Sequence, residues 1–368
     1  MASMTSAPTA PATPALDLSA DPAELTRALC DIPSVSGDEH ALADAVEAAL
    51  HAQTDLEVLR DGDAVIARTH LGRSRRVVLA GHLDTVPIRD NVPARLVDDA
   101  DGRWLVARGA VDMKAGDAVF LALTTRLPRP AADVTWVFYD QEEVAAERNG
   151  LGRVARNHPD WLAGDLAILG EPTDGRVEGG CNGTCRFLVT THGRRAHSAR
   201  AWVGDNAIHH AADVLDVLRD FRPETITVDG LAYREGLNAV GISGGVAGNV
   251  IPDECTVHVN YRFAPSRSAA EAEQHMRALF AGFDMRFVDM SPGARPGLDA
   301  PVAREFVAAV GTDPLPKYGW TDVARFSALG VPALNYGPGD ALLAHADDER
   351  VRVDTIAPCL DALVTWLS

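Results

Sequence analysis

Apolar positions along the chain change period several times, and the changes mark its elements. Residues 21–30 and 38–52 repeat apolar side chains at helical spacing. In the second run Leu42, Val46, Ala49 and Leu50 share a face, and Asp38 is placed to cap it. Between them Ile32-Pro33-Ser34-Val35-Ser36-Gly37 is a loop by its Pro and Gly content. Strands are predicted near 55–59, 63–69, 76–81, 103–108 and 133–139, a helix from Asp112 to Leu127, and a short strand over Leu166–Leu169. After Gly179-Gly180 the texture shifts. Cys185–Thr191 alternates like a meander strand, and Asn206–Leu218 is an Ala-, Val- and Leu-rich helix. Strands follow at Glu224–Asp229, Ala239–Gly244 and Thr256–Phe263, then a helix from Ser268 to Phe280. Pro292, Gly293, Pro296 and Gly297 mark the exit from this stretch. A helix over 301–310, a strand over 332–335 and a closing helix from Thr355 to Trp366 complete the chain.

This order predicts an α/β catalytic domain with a central mixed sheet, over 18–180 and 292–368, interrupted by a smaller α+β domain over 181–291. A length of 368 residues agrees with two cores rather than one. Residues 1–17 are rich in Ala, Thr, Pro and Ser and lack Lys and Arg. They read as a disordered tail rather than a secretory signal.

Several apolar runs stop abruptly at metal-seeking residues. Val77–Gly81 ends at His82, with Asp84 two residues on. Gly109-Ala110-Val111 leads to Asp112, Val134–Tyr139 leads to Glu142-Glu143, and Leu166–Gly170 ends at Glu171. A residue at the carboxyl end of a strand lies where open α/β sheets bind ligands. Singly, each has an ordinary explanation: a hydrogen-bonded histidine, a helix cap, a solvated acidic pair. Together with His345 they point to one centre. Imidazole and carboxylate donors without thiolate suit zinc, cobalt or manganese in an open catalytic site. Two metals need a bridging ligand, for which a short Asp such as Asp112 is suited. Asp84 is placed to accept the second imidazole N–H of His82. Of the adjacent Glu142 and Glu143, one is expected to bind metal and the other to take a proton from the attacking water.

Charge and cysteine content narrow the partners. Lys and Arg total 34 against 52 Asp and Glu, a net charge of −18, which argues against nucleic acid or anionic membrane as a partner. An anionic substrate would therefore need a local basic pocket. Five scattered cysteines, Cys30, Cys181, Cys185, Cys255 and Cys359, fit reduced thiols in a cytoplasm. Cys181 and Cys185 lack a second pair at zinc-finger spacing.

The signatures Gly81-His82-Leu83-Asp84-Thr85-Val86-Pro87 and Gly109-Ala110-Val111-Asp112-Met113-Lys114-Ala115-Gly116 resemble those of the di-zinc aminoacylase and deacylase family. That family includes acetylornithine deacetylase, succinyl-diaminopimelate desuccinylase and the glutamate-releasing carboxypeptidases. Glu142-Glu143, Gly170-Glu171-Pro172-Thr173 and Ala344-His345-Ala346-Asp347-Asp348-Glu349 match its remaining ligand segments, and the similarity runs from about residue 24 to the C-terminus. The resemblance implies two zinc ions, with cobalt or manganese as substitutes. His82, Asp112 and Glu171 would hold one, and Asp112, Glu143 and His345 the other. It implies Glu142 as general base and later proton donor, Asp84 as the residue orienting His82, and the inserted domain as a dimerisation or lid domain. Gly193-Arg194-Arg195-Ala196-His197-Ser198 matches the segment whose histidine stabilises the oxyanion across a homodimer, giving His197 that role.

Within the family, the run from His197 to His209, Asn238-Ala239-Val240, Asn249–Asp253 and Asn260-Tyr261-Arg262-Phe263 look most like actinobacterial-type succinyl-diaminopimelate desuccinylases. The expected substrate is then a small N-succinyl amino acid. Arg262 and Arg325 are candidates to grip its carboxylate, because a planar guanidinium can bind it in two places, and Asn249 is a candidate donor. One departure is that better-known desuccinylases carry basic residues near the start of the inserted domain, where this chain has Cys181-Asn182. That keeps N-acetylornithine, or another N-acyl amino acid, as the alternative.

Overall fold

The computed structural model describes residues 15–368. The first fourteen residues of the expected tail lie outside the described residues. Its last three do not behave as tail: Leu16 is buried and its carbonyl accepts a hydrogen bond from Gln53 Nε2.

By compactness the chain divides into two units. One comprises the chain up to Val177 with Arg304–Thr312 and Asn335–Ser368, and the other Glu178–Ala303 with Asp313–Leu334. The second unit is wider than the 181–291 expected, and it includes a distant strand, Leu315–Pro316, paired in parallel with Glu178–Gly179.

The first unit opens with helices α1 (Pro22–Cys30) and α2 (His40–Gln53). Asp21, not a residue of the helix, caps α1 by accepting from Ala23 N. Asp38 does not cap α2. The capping position falls to Glu39, whose side chain instead accepts from Gly37 N and Gln141 N. Strands β1 (Glu57–Asp61), β2 (Ala64–Arg68), β3 (Arg76–His82), β4 (Arg95–Asp99) and β5 (Gly102–Val106) follow, then α3 (Ala115–Arg126), β6 (Asp133–Tyr139), α4 (Gly150–Asn157) and β7 (Leu166–Leu169). The helix expected from Asp112 begins at Ala115 instead. Asp112 and Met113 leave helical geometry, so the aspartate projects from a turn.

Strands order as β1-β2-β6-β3-β7, with β6, β3 and β7 parallel and the β1–β2 hairpin antiparallel on β6. All residues of β6 and β7 are buried, as are Val77–His82 of β3, which is why these runs are predominantly apolar. His82 lies opposite Tyr139, and Ala80 opposite Leu169. The register brings three strand ends to one edge. Helix α3 is drawn hard against that edge by glycine: a Cβ at Gly116 would collide with the Gly170 carbonyl, and one at Gly81 with the Asp117 carboxyl. The closing helix, Ile356–Leu367, packs Trp366 against Phe306, which meets Tyr336 edge-on.

The second unit contains β8 (Glu178–Gly179), β9 (Gly183–His192), β10 (Ala196–His197), α5 (Ala207–Asp220), β11 (Thr225–Val228), β12 (Leu231–Arg234), β13 (Gly236–Gly244), β14 (Val250–Ile251), β15 (Glu254–Phe263), α6 (Ala269–Leu279) and β16 (Asp284–Ser291). Its main sheet is antiparallel in the order β13-β15-β9-β16, and one face of that sheet, with Phe187, Val189, Val259 and Tyr261, packs in a core with α5 and α6 residues such as Val214 and Met276. Ser268 and Glu271 form a reciprocal cap at the start of α6. All five cysteines are buried and free, which agrees with the thiol reading. Among the described residues no helix is long and apolar enough to cross a membrane.

Candidate metal centre

The parallel edge gathers the predicted ligands. His82 Nε2 lies 3.2 Å from Asp112 Oδ1, while His345 Nε2 lies 3.2 Å from Asp112 Oδ2 and 2.8 Å from Glu143 Oε1. Each oxygen of Asp112 therefore addresses a different imidazole, the arrangement a bridging carboxylate requires. His82, Asp112 and Glu143 offer ligand atoms within 4.8 Å of one another. His345 adopts a left-handed backbone with φ 64°, a conformation most side chains avoid, and this turns its ring to Glu143 and Asp112. Glu171 follows β7 and is buried, but it is not one of that closest trio.

Asp84 does more than the sequence suggests. His82 Nδ1 donates to its backbone carbonyl at 2.9 Å, with Asp84 Oδ1 at 3.5 Å. In the neutral ring this puts the proton on Nδ1 and turns the Nε2 lone pair toward Asp112, where a metal would replace the proton. The Asp84 carboxylate accepts instead from Glu142 N at 2.8 Å, Glu143 N at 3.0 Å and Ser36 Oγ at 2.6 Å. One buried carboxylate thus fixes the two-glutamate turn relative to β3. Ser34 Oγ donates to Leu83 O, so the 32–37 loop is part of the same framework.

Electrostatics fit a cation. Burial works against protonating His82, yet the carboxylates of Asp112 and Asp84 outweigh it and hold its pKa well above the ordinary value. Hydrogen bonds to Asp112, then to Glu143, raise His345 to about 10. Burial would raise Asp112, but His345 and His82 hold it far below the usual carboxylate range. Protons on the two imidazoles occupy the role that divalent cations would take among these carboxylates. The donors are nitrogen and oxygen throughout, so the residues fit zinc-like ions.

Three supports carried no signal beyond being single charged residues inside ligand segments. Arg108 and Glu349 form an ion pair with 2% and 1% of their side chains exposed. Glu349 Oε1 accepts from Val111 N and Asp112 N, each at 3.3 Å, and Arg108 donates to Pro87 O and Ala346 O. The pair thus ties together the loops bearing Asp112 and His345. Lys114 is fully enclosed and donates to Leu29 O and Ile32 O at the end of α1, and burial lowers its pKa.

Asp117 is unlike these. Neither carboxyl oxygen has a hydrogen-bond partner, and burial pushes its pKa up to about 8. Because the folded value lies above the ordinary 3.8, the folded protein keeps a proton that the unfolded chain releases. Stability contributed this way is present below about pH 4 and is lost progressively up to about pH 8. Asp117→Asn in metal-free protein is expected to match the parent near pH 4. Its advantage should then grow by up to ~1.4 kcal/mol per pH unit towards pH 8. Thermal unfolding across that range checks this, and a pH-independent difference would contradict it.

The remaining predicted residues lie in the second unit. His197 sits on β10, paired with Val250 of β14, and its Nδ1 accepts from Ala199 N at 3.0 Å. The neutral ring must then carry its proton on Nε2. The Asn249 carbonyl accepts from Ser198 N, so its backbone clamps the His197 loop. Arg325 is bound through Nε to Asp322 and lies over the Trp320 ring at 5.5 Å. Arg262 projects from β15, half-buried, with Nε 3.2 Å from Asn260 Oδ1.

Comparison with known proteins places this geometry. The description "Peptidase family M20/M25/M40" matches residues 78–368. A putative succinyl-diaminopimelate desuccinylase of Mycobacterium tuberculosis is 55% identical over 355 residues, covering 96% of this chain and 99% of that protein. The succinyl-diaminopimelate desuccinylase of Corynebacterium glutamicum is 46% identical over 369 residues, covering 96% and 98%. Among solved structures, a tripeptidase from Staphylococcus aureus superposes with a TM-score of 0.75 at 20% identity, covering 94% of this chain and 97% of that one. With candidate ligands gathered at one sheet edge, a carboxylate addressed to two imidazoles and a family match across most of its length, the chain belongs to peptidase family M20/M25/M40, a family of metal-dependent hydrolases.

Proposed function

We propose that this protein removes succinate from N-succinyl-LL-2,6-diaminopimelate, giving LL-diaminopimelate for lysine and diaminopimelate biosynthesis in the cytoplasm. The observation that carries the reading is likeness along nearly the whole length to two proteins named for that reaction, at 55% and 46% identity. His82, Asp112 and Glu171 would hold one zinc ion, and Asp112, Glu143 and His345 a second, with cobalt or manganese as substitutes. The bound cations supply positive charge that acidifies the attacking water and polarises the amide carbonyl.

Glu142 takes the proton from that water and later delivers it to the leaving amine nitrogen, so the amide C–N bond breaks with no net proton consumed by the enzyme. Asp84 holds Glu142 by its backbone N–H and His82 by its ring, keeping base and ligand in one frame. His197 donates through Nε2–H to the oxyanion of the tetrahedral intermediate. Arg262 grips the acyl carboxylate, with Arg325 and Asn249 as further contacts.

In a homodimer, His197 of each copy serves the other copy's centre. Support for a second copy comes from β13, an outer strand of its sheet on which Val240 is 65% and Ile242 55% exposed, and from the exposed Ile208 and Leu215 of α5. An unpaired apolar edge of this kind is a natural place for self-association.

The test is amine release from N-succinyl-LL-diaminopimelate and N-acetylornithine by zinc-loaded protein whose mass is read in the same buffer. Strong preference for the succinyl substrate by a dimer is expected. Preference for acetylornithine would move the enzyme to deacetylation, the reading that the uncharged, buried Cys181 and Asn182 would favour. A fully active monomer would remove the role of His197 across copies.

A further inference from the structure

One face of the β13-β15-β9-β16 sheet packs against α5 and α6, and the opposite face carries an unusual pair of cations. On β9 and β15, Arg186 lies directly across from Asn260, and Thr184 across from Arg262. The two arginines are therefore diagonal neighbours on the same face, within reach of one another's long side chains. Asn260 holds the group in order: its Oδ1 accepts from Arg262 Nε at 3.2 Å, and its Nδ2 donates to Thr184 Oγ1 at 3.0 Å. Arg262 makes no ion pair among the described residues, although it is half-buried. Among the described residues Arg186 has one carboxylate paired with it, Asp289 on the neighbouring strand, at a long 3.8 Å.

Like charges set side by side on a sheet repel, and a partly buried cation without a counter-ion is unfavourable. On a chain with 52 acidic and 34 basic residues, such a pair is not a consequence of composition. A carboxylate held between the two guanidinium forks would relieve the repulsion and supply the missing counter-ion. Arg186 also offers positive charge on the same strand as the uncharged Cys181-Asn182 stretch leads into, which addresses how an acyl carboxylate can be held without basic residues there.

We propose that Arg186 is a specificity-determining residue that closes with Arg262 on the free carboxylate of the substrate's acyl group, releasing Asp289 as it does so. The proposal rests on the succinyl-amide reading given above.

The experiment compares N-succinyl-LL-diaminopimelate with N-butyryl-LL-diaminopimelate, whose acyl chain has the same length and lacks the carboxylate. Arg186→Gln is expected to raise KM for the succinyl substrate by about 10- to 100-fold, the value of one charge-assisted hydrogen bond, with kcat little changed. Kinetics on the butyryl substrate should not move, and Arg186→Lys should recover part of the loss. The side chain is 58% exposed, so these variants leave the core intact. An unchanged KM for the succinyl substrate, or an equal rise for both substrates, would overturn the proposal. A parent enzyme that fails to hydrolyse the succinyl substrate would instead remove the functional reading on which it stands.

Discussion

Glu142→Gln is expected to bind the same number of metal ions as the parent and to lose about 10²- to 10⁴-fold in kcat. Of the two adjacent glutamates, the structure sets the Glu143 carboxylate against an imidazole. Glu143 reaches His345 Nε2 at 2.8 Å and is one of three candidate ligands whose donor atoms lie within 4.8 Å of one another. Glutamine preserves size and the backbone N–H that Asp84 holds at 2.8 Å, so the turn should remain in place. Only the capacity to take and return a proton is removed. Metal analysis beside steady-state kinetics checks both halves: near-parental turnover would exclude Glu142 as the base, and loss of metal would make it a ligand.

Glu349→Ala should be the most damaging change away from the candidate ligands themselves. It would strand Arg108, whose side chain is 2% exposed, and remove the acceptor for Val111 N and Asp112 N. Breaking a buried ion pair by deleting one partner costs about 3–5 kcal/mol, because the surviving charge stays out of water. The loss should appear as a lower denaturant midpoint and as weaker metal retention, since the turn carrying Asp112 loses its anchor. Glu349→Gln keeps an acceptor and should recover metal retention more than stability. A Glu349→Ala protein with parental midpoint and full metal content would show that the pair does not anchor the turn.

Much of this was legible in the residues. Largely apolar runs such as Val134–Tyr139 and Leu166–Leu169 announced strands buried on both faces, and their abrupt polar ends pointed to His82, Glu143 and Glu171 at one sheet edge. Helical boundaries were less legible. Asp112 looked like the start of a helix because capping and turn geometries draw on the same residue types. Asp38 failed as a cap because Glu39 took the capping position while its side chain bound Gly37 N and Gln141 N.

The sequence by itself determined the element types, the interruption of one α/β unit by an α+β unit, and the chemical kind of the centre, because periodicity and side-chain donors are local properties. Only the tertiary structure decided that Asp84 spends its carboxylate on the backbone of Glu142 and Glu143. It alone buried Arg108 against Glu349, 241 residues away, and set Arg186 diagonal to Arg262. Those facts depend on strand register and on which distant loops meet, and no window of neighbouring residues contains that information.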